Sequence, residues 1–278
     1  MSKLYLVGTP IGNLGDLSPR ALEILGKVDF IAAEDTRVSL KLLNHFGIKK
    51  PMVSYYQHNL RERGEQIISR IAAGESCAII TDAGMPCISD PGEDLVALCH
   101  QNNIPMEVVP GPSAVVSALA ISGLPTGRFA FEGFLSVKKA SRLEHLQQIK
   151  SDTRTLIFYE APHKLRATLS DMMQVLGENR RISLCRELTK LHEEAQRMTL
   201  AEAVDLYQTR EPKGEYVLVI EGASLEAIKE EQPTLEEAAQ KVCDLAASGI
   251  SLSEAAKTIA ADTGYKKGEL YRLALQQQ

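Results

Sequence analysis

The stretch CAIITDAGMPCISDPG, at residues 77–92, decides the fold class of this chain. Its first five residues form a continuous apolar, β-prone run, which is typical of a strand buried on both faces of a parallel sheet. The residues that follow are rich in glycine and proline. Glycine lets a backbone approach a ligand closely, and proline stiffens a loop in advance of binding. The stretch therefore predicts an α/β enzyme whose active site includes this loop, because ligands bind at the carboxyl ends of parallel strands.

Further apolar runs alternate with helical patterns on both sides of this stretch, which indicates βαβ units and a mostly parallel sheet. The predicted strands of the first half are LYLVG (4–8), DFIAA (29–33), MVSYY (52–56) and MEVVP (106–110). The Gly/Pro-rich segment SGLPTGR then marks a boundary between α/β domains at 1–122 and 123–224. Strands predicted in the second domain are FAFEGF (129–134), TLIFYE (155–160), ISLCREL (182–188) and EYVLVIEG (215–222).

A third, small unit is expected at 232–278. Thr234 and Ser251 each stand three residues before a glutamate, the pattern of a capping box that opens a helix. Three short helices in this unit would resemble a helix-turn-helix module.

Composition places the chain among cytoplasmic globular proteins. Hydrophobic residues make up 44% and the net charge is −5, so the chain is neither disordered nor broadly attractive to polyanions. The five cysteines form no C-x-x-C pair, which gives no zinc site and no all-cysteine disulfide framework. The apolar run at 4–7 is too short for a signal peptide, and no run is long enough to cross a membrane.

Four loops of unusual composition follow predicted strands and should meet at one sheet edge. They are GTPIGNL (8–14), EDTR (34–37), DAGMPCISDPG (82–92) and PGPSA (110–114). No dinucleotide fingerprint, phosphate loop, nucleophile elbow or H-E-x-x-H pattern occurs among them. The loops offer carboxylates and main-chain groups but few cations. They suit a neutral or cationic small molecule such as S-adenosylmethionine, although composition alone does not name it.

The ordered set GTPIGNL, EDTR, DAG-P-ISDPG, PGPSA, SGLP, FEGFL, FYEAPHK, CRELTK and GEYVLVIEG resembles the ribosomal RNA small subunit methyltransferase I family. That family consists of S-adenosylmethionine-dependent enzymes of the tetrapyrrole-methylase type, and the resemblance covers nearly the whole chain. It implies two α/β domains with the cofactor cleft between them, and a homodimer. The implied reaction is 2′-O-methylation of a cytidine ribose in the decoding region of 16S ribosomal RNA.

The resemblance also implies which residues contact the cofactor. They are Pro10, Asp82, Ala83, Gly84, Met85, Ile88, Ser89, Ser113, Ala114 and Tyr159. Met85 and Cys87 depart from the family pattern, which has threonine and leucine there. We therefore expect a main-chain contact at Met85 and none from its side chain. Tyr159 has the alternative of ordinary core packing.

Methyl transfer is an in-line displacement that needs aligned reactants and a group to take the hydroxyl proton. The candidate bases or orienting residues are Glu34, Asp35, Arg37, Glu160 and Glu187. Asp35 has the alternative of capping a helix. Arg37 is expected either to pair with a neighbouring carboxylate or to bind an RNA phosphate. Glu187 has the alternative of a structural ion pair with Arg186.

RNA binding by an acidic protein requires a local basic surface. The candidates lie after the FEGFL strand and in the last helix: Lys138, Lys139, Arg142, Lys266, Lys267 and Arg272. Such clusters also occur as solvated helix faces. Two other functions stay open, namely methylation of a tetrapyrrole or other small molecule, and a non-catalytic RNA-binding role.

Overall fold

The computed structural model describes residues 2–226 and 233–277. The chain forms two compact units, one of residues 1–150 and 154–221 and one of residues 151–153 and 222–278. Both sheets lie in the first unit. The predicted start of the C-terminal unit, Gln232, lies outside the described residues.

The first sheet has five parallel strands in the order β3-β2-β4-β1-β5. The strands are β1 (Leu4–Val7), β2 (Phe30–Ala33), β3 (Met52–Ser54), β4 (Cys77–Ile80) and β5 (Met106–Val109). Its helices are α1 (Pro19–Lys27), α2 (Thr36–His45), α3 (Leu60–Ala72), α4 (Glu93–Gln101) and α5 (Ala114–Ser122). The parallel sheet expected from the alternating sequence pattern is confirmed.

Every residue of β2 and β4 is buried, because helices cover both faces of these strands. Phe30 and Ile79 pack on one face in a core with residues of α3 and α4. Ile31 and Ile80 pack on the other face in a core with residues of α1 and α2. This burial on both faces explains why the sequences of β2 and β4 are apolar throughout.

Strands β2, β4, β1 and β5 are neighbours in this order and run in the same direction. The loops that follow them therefore leave the sheet at one edge. These are the four Gly/Pro-rich or charged loops of the sequence, and the strand order brings them together as expected.

The second sheet is mixed, with the order β6-β7-β10-β8-β9. Its strands are β6 (Phe129–Phe134), β7 (Thr155–Glu160), β8 (Arg181–Arg186), β9 (Glu194–Thr199) and β10 (Tyr216–Ile220). Its helices are α6 (Lys139–Gln148), α7 (Leu165–Leu176) and α8 (Leu200–Thr209). Only β6 and β7 are parallel.

Two features of the second sheet differ from the sequence prediction. The edge strand β9 reads EAQRMT and has no fully buried residue, so no apolar run marks it. Strand β8 ends at Arg186, before the predicted end at Leu188, because Glu187 adopts a φ of 52° that strand geometry does not allow.

Within residues 233–277, the second unit holds three helices, α9 (Leu235–Ala247), α10 (Leu252–Thr263) and α11 (Lys267–Gln277). Their shared core is made mainly of alanines with Val242 and Leu270. Thr234 forms the complete capping box with Glu237, whereas Ser251 only accepts the N–H of Glu254. None of the helices in the described ranges is long and apolar enough to span a bilayer.

Candidate active site

A cavity of about 540 Å³ lies where loops of the first sheet face strand ends of the second sheet, within the larger unit. Ligand pockets commonly measure about 300–1,000 Å³, so the cavity can hold a cofactor-sized molecule. The residues that line it are Ile11, Ala83, Gly84, Met85, Ile88, Ser89, Asp90, Ser113, Ala114, Phe134, Tyr159, Glu160, Ala161, Pro162, His163, Cys185, Leu188, Glu215, Tyr216 and Val217.

The loop at 82–92 is held in shape by contacts with Thr9, which follows β1. Gly84 has a φ of 91°, and its main chain pairs with that of Thr9. The Thr9 hydroxyl donates to the Thr81 carbonyl over 3.1 Å. Cys87 and Ser89 also have positive φ values, of 71° and 63°. Conformations that L-residues seldom adopt therefore recur through this loop, and the surrounding contacts hold them there.

The predicted cofactor residues lie around this cavity with two exceptions. Pro10 is buried and Asp82 is exposed, and neither is among the residues that line the wall. The Asp82 carboxylate accepts the N–H of Asp35 over 3.2 Å, which ties the loop after β4 to the loop after β2. The other predicted cofactor residues, on the loops after β4 and β5 and at the end of β7, line the wall.

Glu34 and Asp35 follow β2 and serve different purposes. Glu34 accepts the hydroxyl of Thr81 over 2.7 Å. Asp35 caps α2 by accepting the N–H of Arg37 over 2.8 Å, and it pairs with the Arg37 guanidinium at 2.7 Å. The hydrogen bonds from Arg37 lower the pKa of Asp35 to about 2. A carboxylate with this pKa is a weak proton acceptor at neutral pH, so the geometry favours a capping role.

Glu160 and Glu187 are engaged in structural contacts. Glu160 is buried, accepts the Thr168 hydroxyl over 2.5 Å and accepts its neighbour's backbone N–H over 2.8 Å. Glu187 pairs with Lys190 at 2.9 Å and is absent from the cavity wall. Arg186 pairs with Glu194 at 3.2 Å, so the alternative of an Arg186–Glu187 ion pair is replaced by separate pairs with Glu194 and Lys190.

Asp90 is a wall residue that the sequence analysis did not select as catalytic. Burial, reinforced by the charge of Glu34, raises the pKa of Asp90 to about 6. Burial also raises the pKa of Asp82. The sequence marks Asp90 only as one of several acids in the loops, and its place on the wall depends on tertiary packing.

Tyr159 is both a wall residue and part of an aromatic cluster. Its ring packs against Phe131 and Phe134, with centroid distances of 4.9 and 5.4 Å. Burial raises the pKa of Tyr159 to about 12, so its hydroxyl stays protonated and can donate a hydrogen bond. Core packing and cavity lining, which the sequence offered as alternatives, therefore coexist in this residue.

The basic candidates separate into exposed and buried side chains. Lys138 and Lys139 are exposed at the start of α6. Arg142 is only 7% exposed, and its guanidinium donates to Asp171 over 2.8 Å. We therefore remove Arg142 from the expected RNA surface, because its charge is neutralised inside the unit. The candidates of the second unit, Lys266, Lys267 and Arg272, are exposed.

Within the described ranges, no group of three or more histidine, cysteine or acidic side chains is arranged to hold a metal ion. The candidate site is a cavity whose wall combines large apolar and aromatic side chains with a few small residues and three carboxylates.

Comparison with known proteins gives matches over both units. A family model described as tetrapyrrole (corrin/porphyrin) methylases matches residues 3–204, and one described as the RsmI C-terminal HTH domain matches residues 233–278. The ribosomal RNA small subunit methyltransferase I of Synechocystis is 46% identical over 99% of this chain and 98% of its own length. The protein of the same name from Halalkalibacterium halodurans is 46% identical over 97% of this chain and 93% of its own length.

A solved structure of diphthine synthase aligns with a TM-score of 0.62 at 16% identity, covering 82% of this chain and 95% of that one. At this level of identity the likeness shows the fold alone. The two-sheet arrangement expected from the sequence is therefore the fold of this methylase type.

Proposed function

The chain belongs to the tetrapyrrole (corrin/porphyrin) methylase family and to its ribosomal RNA small subunit methyltransferase I members, and from this premise we propose its reaction. The proposed reaction is transfer of a methyl group from S-adenosylmethionine to the 2′-hydroxyl of a cytidine ribose in the decoding region of 16S ribosomal RNA. The observation that carries the proposal is the cavity between the two sheets, combined with near-full-length similarity to enzymes of that name.

The chemistry of the cavity wall fits S-adenosylmethionine. Among the described residues that line the wall there is no lysine or arginine and a single histidine, His163, whereas Asp90, Glu160 and Glu215 contribute carboxylates. Such a wall disfavours a phosphorylated ligand and tolerates a cationic one. When bound, the cofactor supplies a methyl group activated by a positively charged sulfonium.

Main-chain groups supply the remaining recognition in this proposal. Ser113 is the N-cap residue of α5, and its side chain makes no capping hydrogen bond. The first amides of α5 and the Ser113 hydroxyl are therefore candidates to bind a carboxylate of the cofactor, since helix N-termini favour anions. Ala83 and Gly84 also belong to the cavity wall, and Gly84 lies beside the loop after β5, since a Cβ there would be 3.6 Å from the Pro112 carbonyl oxygen. Pro10 and Asp82 would act indirectly, by supporting the loops.

RNA binding is assigned to exposed cations outside the cavity. Lys138 and Lys139 stand just after β6, whose last residue, Phe134, belongs to the cavity wall. Lys266, Lys267 and Arg272 would contact the RNA backbone from the second unit, as helix-turn-helix modules do with nucleic acid. The Arg37 side chain is 87% exposed despite its ion pair, so its guanidinium is accessible to an RNA phosphate.

A cytoplasmic homodimer completes the proposal. The edge strand β5 leaves Val108 54% exposed, and unpaired edge strands with apolar side chains tend to be covered by a partner. Sedimentation analysis of the purified protein tests the dimer, and a strictly monomeric species at micromolar concentration contradicts it.

The decisive experiment is methyl transfer from labelled cofactor to small ribosomal subunits and to naked 16S RNA, followed by mapping of the modified nucleotide. We expect one labelled cytidine, modified on its ribose. Label on a base, or no transfer to either substrate, contradicts the proposal.

The RNA surface is tested with the double variant Lys138→Ala/Lys139→Ala. We expect weaker RNA binding with a shallower salt dependence and unchanged cofactor affinity, because phosphate contacts release counterions. A matched control is Lys49→Ala/Lys50→Ala, which also removes two positive charges. These lysines stand just before β3, the edge strand of the first sheet that lies farthest from β5. Equal losses in the two double variants contradict the assigned surface.

A further inference from the structure

We infer that Asp90 accepts the proton of the hydroxyl that becomes methylated. This inference rests on the proposed function and adds to it the residue that performs the proton transfer.

The position of Asp90 is the first argument. It lies on the cavity wall next to Ser89, and Tyr159 lines the same cavity from the second sheet. The loop that carries it is closed tightly: a Cβ on Gly92, which has a φ of 139°, would lie 2.7 Å from the Cys87 sulfur. A carboxylate on such a loop has little freedom to leave the cavity. This suits a proton acceptor, which must stay within hydrogen-bond reach of the hydroxyl.

The other acids near the cavity have partners that occupy them. Glu160 accepts two hydrogen bonds, from Thr168 and from the backbone of Ala161. Glu215 pairs with Lys190 at 2.7 Å. Among the ion pairs found in the described ranges, none involves Asp90. Asp90 is therefore the wall carboxylate best able to receive a proton.

The electrostatic surroundings of Asp90 support this role. Glu34 and Asp82 face it from the first sheet, Cys87 lies in the same loop and Tyr159 faces it from the second sheet. Burial and the charges of Glu34 and Asp82 raise its pKa to about 6. The nearby Thr81 hydroxyl, which donates to Glu34 over 2.7 Å, opposes the shift. Asp90 thus binds a proton more strongly than an ordinary carboxylate, yet most copies are ionised at neutral pH.

The proposed step balances as follows. The ribose 2′-oxygen forms a bond to the methyl carbon while the carbon–sulfur bond breaks, and the electron pair of that bond stays on sulfur. The hydroxyl proton moves to an Asp90 carboxylate oxygen and is released to water after the products leave. The carboxylate starts and ends each turnover ionised.

The test compares Asp90→Asn and Asp90→Glu with the wild type, using full-length protein and small ribosomal subunits. The matched control is Asp94→Asn, which removes an exposed negative charge in the first turn of α4, outside the cavity wall. For each protein we would measure kcat between pH 5 and pH 9, cofactor affinity by calorimetry, and the carboxyl titration of Asp90 by NMR without ligand.

We expect Asp90→Asn to lower kcat about 100-fold or more, the usual contribution of general base catalysis, with cofactor affinity within about threefold of wild type. The wild-type rate should rise with pH up to about 6 and then level off, following the Asp90 pKa. The Asp90→Asn variant should lack the change in slope near pH 6. Asp90→Glu should recover part of the rate, and Asp94→Asn should match the wild type.

Three results overturn the inference. Asp90→Asn with wild-type kcat and pH profile shows that another group takes the proton. A loss of cofactor affinity as large as the loss of rate shows that Asp90 holds the cofactor instead. A wild-type enzyme that methylates a base, or leaves the RNA unmodified, overturns the proposed function together with this inference, whereas the first two results leave the proposed function standing.

Discussion

Thr9 and Gly84 exchange two backbone hydrogen bonds, of 2.9 and 3.1 Å, which join the end of β1 to the loop after β4. This short antiparallel bridge crosses between strands that are themselves parallel. It fixes the main chain of the cavity wall at Gly84, where the backbone adopts a φ of 91°. The cavity is therefore shaped by backbone pairing before any ligand binds.

Gly84→Ala is expected to weaken cofactor binding several-fold and to destabilise the protein by about 1–2 kcal/mol. The reason is backbone strain, since a Cβ there meets its nearest neighbour, Ile11, at an ordinary 3.4 Å. Calorimetric titration and urea unfolding measure the two effects. Gly127→Ala is the control, because its Cβ would have no neighbour within 4 Å. Wild-type affinity in Gly84→Ala would show that the bridge does not shape the site.

Gly111→Ala is expected to destabilise the protein by about 2 kcal/mol or more, as overpacked sites do. Its Cβ would lie 2.8 Å from the Cα of Gly8, and neither backbone can move without displacing a strand end. Gly26→Ala within α1 has open space around its Cβ and should be neutral or stabilising by up to about 1 kcal/mol. Similar unfolding midpoints for the two variants contradict the close approach of Gly8 and Gly111.

Arg142→Ala is expected to destabilise the protein by about 3–5 kcal/mol, because Asp171 would be left buried without its partner. Lys139→Ala should cost less than about 1 kcal/mol, since the exposed Lys139 ammonium stands 3.7 Å from the same carboxylate. Thermal or urea unfolding separates the two. An Arg142→Ala protein with wild-type stability but weak RNA binding would show that Arg142 belongs to the RNA surface after all.

Asp90→Asn is expected to stabilise the folded protein at neutral and alkaline pH while it lowers activity. The folded protein binds the Asp90 proton more tightly than the unfolded chain does, so the protonated carboxyl stabilises the fold fully at pH values below the unfolded pKa. This contribution to the free energy of unfolding is lost as the pH rises through the folded pKa of about 6. The gain should be about 1 kcal/mol once solvent screening is considered. Unfolding midpoints of both proteins from pH 4 to pH 8 test this. A difference that does not grow with pH contradicts the raised pKa.

The amino-acid sequence alone determined several features of this protein. The apolar runs at β2 and β4 specify strands buried on both faces, because a strand covered by helices on both sides of its sheet leaves no face for polar residues. The loops after β1, β2, β4 and β5 could be identified from their glycines, prolines and charges. Capping residues such as Thr234 marked where helices begin, because their side chains complete the first turn locally.

Other features were decided only by the tertiary structure. The polar edge strand β9 carries no apolar run, since a strand that buries little needs none. Arg142 and Lys139 are both basic side chains near the start of α6, yet only packing against Asp171 buries the first. Asp90 has a raised pKa because the fold buries it and brings the charge of Glu34, distant in sequence, close to it. It shares the cavity wall with Tyr159 of the second sheet. Burial and electrostatic fields are sums over such distant neighbours, so they are set when the strands assemble in their final order.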